Sequence, residues 1–433
     1  MMKSLSSFLS FVIALFTLVG VFSTVEAFAD PDPFPVYECL KPNVEFWKNV
    51  YTQYSSTRGI IHDYSDLSII YEVIELADRE SSGAHEINEM QVRGAKEKYQ
   101  RILENLARGD PPSSDEERRV SWLFGPNATP DDFQKAKDNL RCQVGQRDRF
   151  QEGLIRSGAW LDEIKAIFVS YGLPADLAYL PHVESSFNPH AVSKCGAVGI
   201  WQFTRSTGKR FMEIGYTVDE RRDPIRASHA AARLLKGNYE TLGDWPMAIS
   251  AFNYGLSGMV RAQETQGTYE AIFKGYESRI FQFASRNFYS EFLAARDVAQ
   301  NYQYYFGDLQ LQKPLDSYEV VLAGYVPLKD LASHVNIDIA AIMTLNPSLM
   351  NPVFSGQQYI PKGYSLRLPV IADVSSEQIL TELPRHIYKT RQKRGHPGPV
   401  NKPKRQRTKV QGKRPGREQL TGARHTFARA HTS

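Results

Sequence analysis

Residues 184–203, ESSFNPHAVSKCGAVGIWQF, decide the fold of this chain. They follow a Gly172-Leu173-Pro174 sequence that ends one apolar helix and starts another, because proline suits the first position of a helix. The second helix is predicted to end at Glu184, after which glycines and small polar residues interrupt the apolar pattern. We therefore expect a short helix that leads into an irregular loop, within a chain that is mainly α.

Glu184 is the one carboxylate on the predicted apolar face of that helix. Leu177, Leu180 and Glu184 fall at positions i, i+3 and i+7, which share one side of an α-helix. Removal from water raises the pKa of a carboxyl group and keeps it protonated, as a general acid that cleaves a glycosidic bond requires. A glutamate exposed by a kink at Pro181 is an equally good interpretation, and the spacing alone leaves both open.

The residues that follow resemble the signature of a known family. Positions 184–189 fit ES-x-F-x-P and positions 193–203 fit S-x-x-G-A-x-G-x-W-Q-F, the pattern of the soluble lytic transglycosylase (goose-lysozyme-like) family. A later family motif, A-Y-N-x-G, is present as AFNYG at 251–255. Segments 219–224 and 284–289 are similar to a membrane-bound branch of the family. The resemblance implies a lysozyme-like helical catalytic domain.

The resemblance also implies a reaction and a set of site residues. A lytic transglycosylase cleaves the β-1,4 bond between N-acetylmuramic acid and N-acetylglucosamine in peptidoglycan glycan strands without water, and leaves 1,6-anhydro ends. Glu184 would be the catalytic residue, first as acid and then as base. The residues expected to bind substrate are Ser193, Gly199, Gln202, Phe252 and Asn253. Trp201 is interpreted as a core residue rather than a platform for a sugar ring.

Two alternatives stay open at this stage. Phe252 stands where the family usually has tyrosine, so the protein could be a catalytically weak scaffold that binds peptidoglycan. If Asp219, Glu220 or Asp223 reached the site and held a water, the enzyme would be a hydrolytic muramidase. Asp223, which precedes Pro224, is more simply predicted to be a helix N-cap.

No cofactor or metal is expected. The histidines of the catalytic region lack the spacing of metal ligands; they are His182, His190 and His229. Three cysteines in 433 residues exclude a scaffold built on disulfides and a cysteine-rich zinc module. We favour a Cys39–Cys142 disulfide, because Cys195 lies within residues 193–203 of the family signature, which we call the signature loop.

The charge is unevenly distributed. The net charge is +4, yet the segment 385–433 carries fifteen Lys or Arg against one acid, Glu418. This tail has almost no apolar clusters and is predicted to be disordered. It could bind anionic polymers of the cell envelope. Nucleic acid is not expected as a partner, because the chain begins with the pattern of an export signal.

The chain is predicted to divide into five parts. Residues 1–29 resemble a cleavable signal peptide, since an uncharged apolar run ends in Ala27-Phe28-Ala29, although an uncleaved anchor would look similar. We place a helical region at 30–150, the catalytic domain at 151–310, a small α+β LysM-like module at 315–370 and the basic tail at 371–433. The module is identified by its strand-helix-helix-strand order. The expected location is the periplasm or cell envelope, and the sequence does not predict an oligomeric state.

Overall fold

The computed structural model describes residues 32–370 and 387–393. The predicted signal peptide and most of the basic tail lie outside these residues. The prediction of a mainly α fold is confirmed. The helices are α1 Lys41–Thr52, α2 Ala84–Ala107, α3 Asp115–Leu123, α4 Pro130–Asp138, α5 Arg147–Ser157, α6 Leu161–Ser170, α7 Leu180–Ser185, α8 Arg205–Gly208, α9 Pro224–Leu242, α10 Trp245–Tyr254, α11 Leu256–Gln266, α12 Tyr269–Gly275, α13 Phe283–Gln300, α14 Tyr302–Phe306, α15 Leu328–Val335, α16 Ile339–Leu345 and α17 Asn351–Phe354.

The N-terminal region is not purely helical, which corrects the prediction for 30–150. It contains an antiparallel sheet in the order β2-β1-β3, formed by β1 Arg58–Asp63, β2 Ile70–Glu75 and β3 Leu140–Val144. Branched residues such as Ile60 and Ile61 favour this pleated, buried setting. Because successive side chains of a strand point to opposite faces, Ile60 joins the main core and Ile61 joins a second core under α2.

The main core joins the N-terminal region to the predicted catalytic domain. Phe34 and Trp47 belong to the same cluster of buried side chains as Trp201, Trp245 and Phe292. Helix α1 packs along α13, and the buried Asn43 side chain donates a 2.7 Å hydrogen bond to Asn287 of that helix. Residues 34–150 therefore share a core with the segment that carries the signature.

The C-terminal module has its own core. Strand β4 (Ser317–Val321) pairs antiparallel with β5 (Ser365–Pro369), and α15, α16 and α17 lie between them in the chain. Its buried side chains include Leu331, Ile342 and Leu366. Backbone pairing between Val218 and Leu349 attaches the module to the preceding segment. The strand-helix-helix-strand order is present, with α17 as an addition that the sequence pattern did not predict.

The favoured Cys39–Cys142 disulfide is wrong. All three cysteines are free. Cys142 lies in β3 opposite Ile61 of β1, whereas Cys39 lies in a short 3-10 helix and packs against the main core. Burial raises the pKa of the Cys142 thiol to about 11. The two cysteines therefore belong to elements that the fold holds in separate packing environments.

Two buried histidines should make stability depend on pH. Neither ring nitrogen of His182 has a hydrogen-bond partner among the described residues, and His62 lacks one at Nε2. Burial lowers the pKa of each to about 3 from 6.5. The unfolded chain therefore binds protons that the native chain does not. The contribution of these histidines to the free energy of unfolding is therefore complete above pH 6.5. It should decrease as the pH falls toward 3, by about 1 kcal/mol per pH unit for each histidine.

Denaturant titrations between pH 4 and 8 measure this dependence. His182→Phe should remove about half of it, because phenylalanine keeps the aromatic packing and does not titrate. His85→Gln, a change at an exposed position on α2, should leave the dependence unaltered. An equal slope in wild type and His182→Phe would contradict the assignment.

Candidate active site

Glu184 lies at the end of α7 and is half-buried. Leu177 and Leu180 are fully buried, but Leu177 belongs to a separate 3-10 helix, Ala175–Tyr179. Pro181 lies in the first turn of α7, where its missing N–H is tolerated, and the chain changes helix type just before it. The predicted single helix is thus two short ones. Glu184 nevertheless follows directly from a buried segment.

The backbone turns sharply after Glu184. Ser186 and Phe187 both adopt left-handed conformations, with φ of 51° and 55°, which are uncommon for residues other than glycine. The Arg156 guanidinium on α5 donates two hydrogen bonds to the Ser186 carbonyl, of 3.2 and 2.9 Å. Gly153 allows α5 to approach, since a Cβ there would lie 2.9 Å from the same oxygen. These contacts stabilise a costly conformation next to the glutamate.

The signature loop is fastened to the end of α7. Ser185 donates a 2.9 Å hydrogen bond from its hydroxyl to the Ile200 carbonyl. Within the loop, Ser193 Oγ accepts a hydrogen bond from Ala197 N at 3.0 Å, and Gln202 Nε2 donates to Gly199 O at 2.9 Å. Two of the predicted substrate ligands, Ser193 and Gln202, therefore shape the loop itself.

A buried arginine stabilises the signature loop through hydrogen bonds to its backbone. Arg221 donates from Nη1 to the carbonyls of Gly196 (3.0 Å) and Phe203 (3.1 Å). Its Nε and Nη2 bind the two carboxylate oxygens of Asp219, at 2.9 and 2.7 Å. Gly199 has a φ of 79°, and a Cβ on it would lie 1.8 Å from the Arg221 carbonyl oxygen. Gly199 thus permits contact with Arg221, where the sequence suggested contact with a sugar.

The end of α10 completes the arrangement. The Phe252 ring lies 6.1 Å from that of Trp201 and 5.9 Å from that of Phe203. Asn253 Oδ1 accepts a 2.9 Å hydrogen bond from the Ser285 hydroxyl. Trp201 is fully buried and donates from Nε1 to the Ser228 hydroxyl at 2.8 Å, as expected of a core residue. Helix α7, the loop and α10 thereby form one connected structure.

The other acids considered at this site have structural partners. Asp219 pairs with Arg221, and Glu220 accepts a 2.7 Å hydrogen bond from the backbone N–H of Glu213. Asp223 caps α9 by accepting hydrogen bonds from two backbone N–H groups, as predicted, and forms a 3.0 Å ion pair with Arg367. These contacts give Asp219, Glu220 and Asp223 structural roles.

Two further properties concern the described residues alone. Within 32–370 and 387–393, no group of three or more His, Cys, Asp or Glu is arranged to hold a metal ion. None of the helices in these ranges combines the length and apolar character needed to cross a bilayer.

Comparison with known proteins identifies the domain. Residues 165–272 match the family model described as the transglycosylase SLT domain. Membrane-bound lytic murein transglycosylase D of Escherichia coli (strain K12) is 25% identical over 252 residues, which cover 53% of this chain and 56% of the relative. The transglycosylase of Enterobacteria phage PRD1 is 30% identical over 129 residues, or 29% of this chain and 44% of that protein.

One solved structure is also similar to part of this chain. The 70 kDa soluble lytic transglycosylase Slt70 of Escherichia coli is 18% identical and aligns with 54% of this chain and 38% of its own, at a TM-score of 0.25. The chain spans little more than half the length of transglycosylase D, so the match describes a shared region. The predicted resemblance is confirmed: residues 165–272 form a transglycosylase SLT domain.

Proposed function

We propose that this protein is a peptidoglycan lytic transglycosylase. The substrate is the bond between N-acetylmuramic acid and N-acetylglucosamine, and the products carry 1,6-anhydro ends. The observation that supports this most directly is Glu184, a half-buried carboxyl group at the end of α7, inside the SLT domain and fastened through Ser185 to the signature loop. The SLT domain and the two transglycosylase relatives support the reaction class.

One carboxyl group is enough for both proton transfers. Glu184 donates its proton to the glycosidic oxygen as the bond from that oxygen to C1 of the muramoyl residue breaks. The C6 hydroxyl of the same residue then attacks C1, and its proton passes to the Glu184 carboxylate. The proton lost in the first step is regained in the second, and no water is consumed. The neutral starting form of Glu184 stays a prediction from its position.

The five predicted substrate-binding residues divide into two groups under this proposal. Ser193, Gly199 and Gln202 give the loop its shape, so their contribution to binding is mainly the placement of loop backbone groups. Phe252 and Asn253 lie at the end of α10 and are partly exposed, so they are available to contact a sugar. Gln202 also has an amide oxygen that accepts no hydrogen bond from the described residues.

Digestion of purified murein tests the proposed activity. The full chain is incubated with insoluble sacculi, and the soluble fraction is analysed by liquid chromatography. We expect soluble fragments that contain both sugars, in amounts that increase with time and enzyme. Binding to sacculi without release of fragments would contradict the proposal.

A catalytically weak scaffold is the second candidate, and Phe252 is the observation in its favour. The family's usual tyrosine would place a hydroxyl group where this ring has none. Because Phe252 is partly exposed, Phe252→Tyr should fold normally. Release by Phe252→Tyr but not by wild type would support the scaffold; release by both would exclude it.

We also propose the setting in which the enzyme acts. An export signal at 1–29 and a basic tail at 371–433 suit an enzyme of the periplasm or cell envelope, and one relative is named as membrane-bound. The module at 315–370 is proposed to be LysM-like and to bind glycan. Its ion pair from Arg367 to Asp223 links it to the first turn of α9.

A further inference from the structure

A cleft is formed by residues outside the matched SLT range. Its volume is about 760 Å³, and it lies between the N-terminal region and the segment 277–286. Lys96 of α2, Arg141 of β3 and the neighbouring Asn139 line one side, and Ser278, Arg279 and Gln282 line the other. None of these residues belongs to the matched SLT range or to the predicted set of site residues.

Arg141 lines this cleft and interacts electrostatically with Glu291 at a longer range than an ion pair. The Cζ atom of Arg141 lies 4.0 Å from the centre of the Phe283 ring, so stacking holds the guanidinium in place. Its Nε is buried and donates no hydrogen bond, and the guanidinium forms no ion pair with the described residues. A buried donor without an acceptor is costly and uncommon in native proteins. No hydrogen-bond acceptor or ion-pair partner within the described residues therefore competes with a ligand for the Arg141 guanidinium.

A second cation lies next to it. Lys96 is half-buried and likewise lacks an ion pair within the described part of the chain. Burial lowers the pKa of both groups, and the charge of Arg141 lowers that of Lys96 further. The two acids that line the cleft, Asp138 and Glu277, are exposed. The interior of the cleft is thus positively charged, and its edge carries charges of both signs.

The cleft is connected to the active site by direct contacts. Ser285, next to the cleft residue Arg286, donates its hydroxyl hydrogen bond to Asn253. The hydroxyls of Ser278 and Tyr254 are 2.9 Å apart. The segment that forms one wall of the cleft therefore also contacts the end of α10. A ligand in the cleft would lie close to a glycan strand bound at α10.

We propose that this cleft binds a carboxylate of the peptide stem that the glycan strand carries. This inference rests on the proposed function, which supplies the strand. Arginine pairs with carboxylates through two parallel hydrogen bonds, and Lys96 adds a second charge. A volume of about 760 Å³ is in the range of ligand pockets and accommodates a short peptide. The stem is attached to the muramoyl sugar, so the proximity of the cleft to α10 favours it over a free anion.

Calorimetric titration of the full chain with a synthetic murein stem tetrapeptide tests this proposal. A matched peptide has its carboxylates converted to carboxamides. We expect wild type to bind the carboxylate form at least tenfold more tightly. Arg141→Gln and Lys96→Gln should each weaken that binding about tenfold, the loss expected for one charged hydrogen bond. Arg93→Gln, a change at an exposed position on α2, is the control and should bind like wild type.

The outcomes separate this inference from the proposed function. Equal affinity for the two peptides, or no binding of either, would overturn the inference even if murein is cleaved. Competition by inorganic phosphate as effective as the peptide itself would reassign the cleft to free anions. If the chain binds the peptide through Arg141 but releases no murein fragments, the inference about the cleft is supported and the proposed enzymatic activity is contradicted. Because Lys96 is half-exposed, Lys96→Gln keeps the test valid if Arg141→Gln fails to fold.

Discussion

Replacement of Glu184 by glutamine is expected to reduce the release of murein fragments about 10³-fold. Glutamine has nearly the same shape as glutamic acid but cannot donate a proton to the glycosidic oxygen or take one from the C6 hydroxyl. Both proton transfers are lost together, because one carboxyl group performs them. The rate of appearance of soluble fragments from sacculi, measured at equal enzyme concentrations, gives the magnitude.

A Glu→Gln substitution at an exposed position on another helix provides the control for Glu184→Gln. Glu240→Gln changes an exposed residue on α9 and should leave release unaffected. Both variants should show the wild-type circular dichroism spectrum and bind sacculi as wild type does. Substantial release by Glu184→Gln would show that another group supplies the proton.

Gly199→Ala should have the largest effect on stability. The added Cβ would lie 1.8 Å from the Arg221 carbonyl oxygen, which is far inside van der Waals contact, and the φ of 79° disfavours alanine by itself. The loop must move away from Arg221, which also strains the hydrogen bonds from Arg221 to Gly196 and Phe203. We expect a loss of about 4 kcal/mol in the free energy of unfolding, or failure to fold.

Gly196→Ala is the matched comparison. Gly196 has nearly the same backbone conformation, with a φ of 76°, but a Cβ there meets nothing within 4 Å. Its cost should be about 1 kcal/mol, the penalty for a left-handed alanine. Urea denaturation of both variants measures the difference. Equal losses would mean that backbone conformation, rather than contact with Arg221, requires glycine at 199.

The signature at residues 184–203 was the part of this protein that the sequence predicted best. Residues 184–203 identified the SLT domain, and the mainly α fold followed from it. Asp223 was correctly predicted as a helix cap, because an acidic residue before proline has a local structural meaning. Trp201 was correctly interpreted as core, since it is fully buried and its indole N–H is paired with Ser228.

What could not be predicted depends on contacts between distant residues. The roles of Arg156 and Arg221 rest on backbone carbonyls of the signature loop, which a sequence pattern does not bring together. The sheet of the N-terminal region was not predicted, because β1 pairs with β3 across the intervening helices α2, α3 and α4. Gly199 was predicted to contact a sugar, because a glycine indicates a close approach by another group without identifying that group. In the structure the group is the Arg221 carbonyl.

The mass of the reaction products is the most direct test of the central claim. Soluble fragments from wild-type digestion are measured by mass spectrometry before and after reduction with borohydride. The proposed lytic reaction predicts disaccharide-peptides that are one water lighter than the hydrolysis products. These fragments should resist reduction, because the anhydro end has no free aldehyde. Fragments that contain the extra water and take up hydrogen on reduction would contradict it. Such fragments would identify a hydrolytic muramidase.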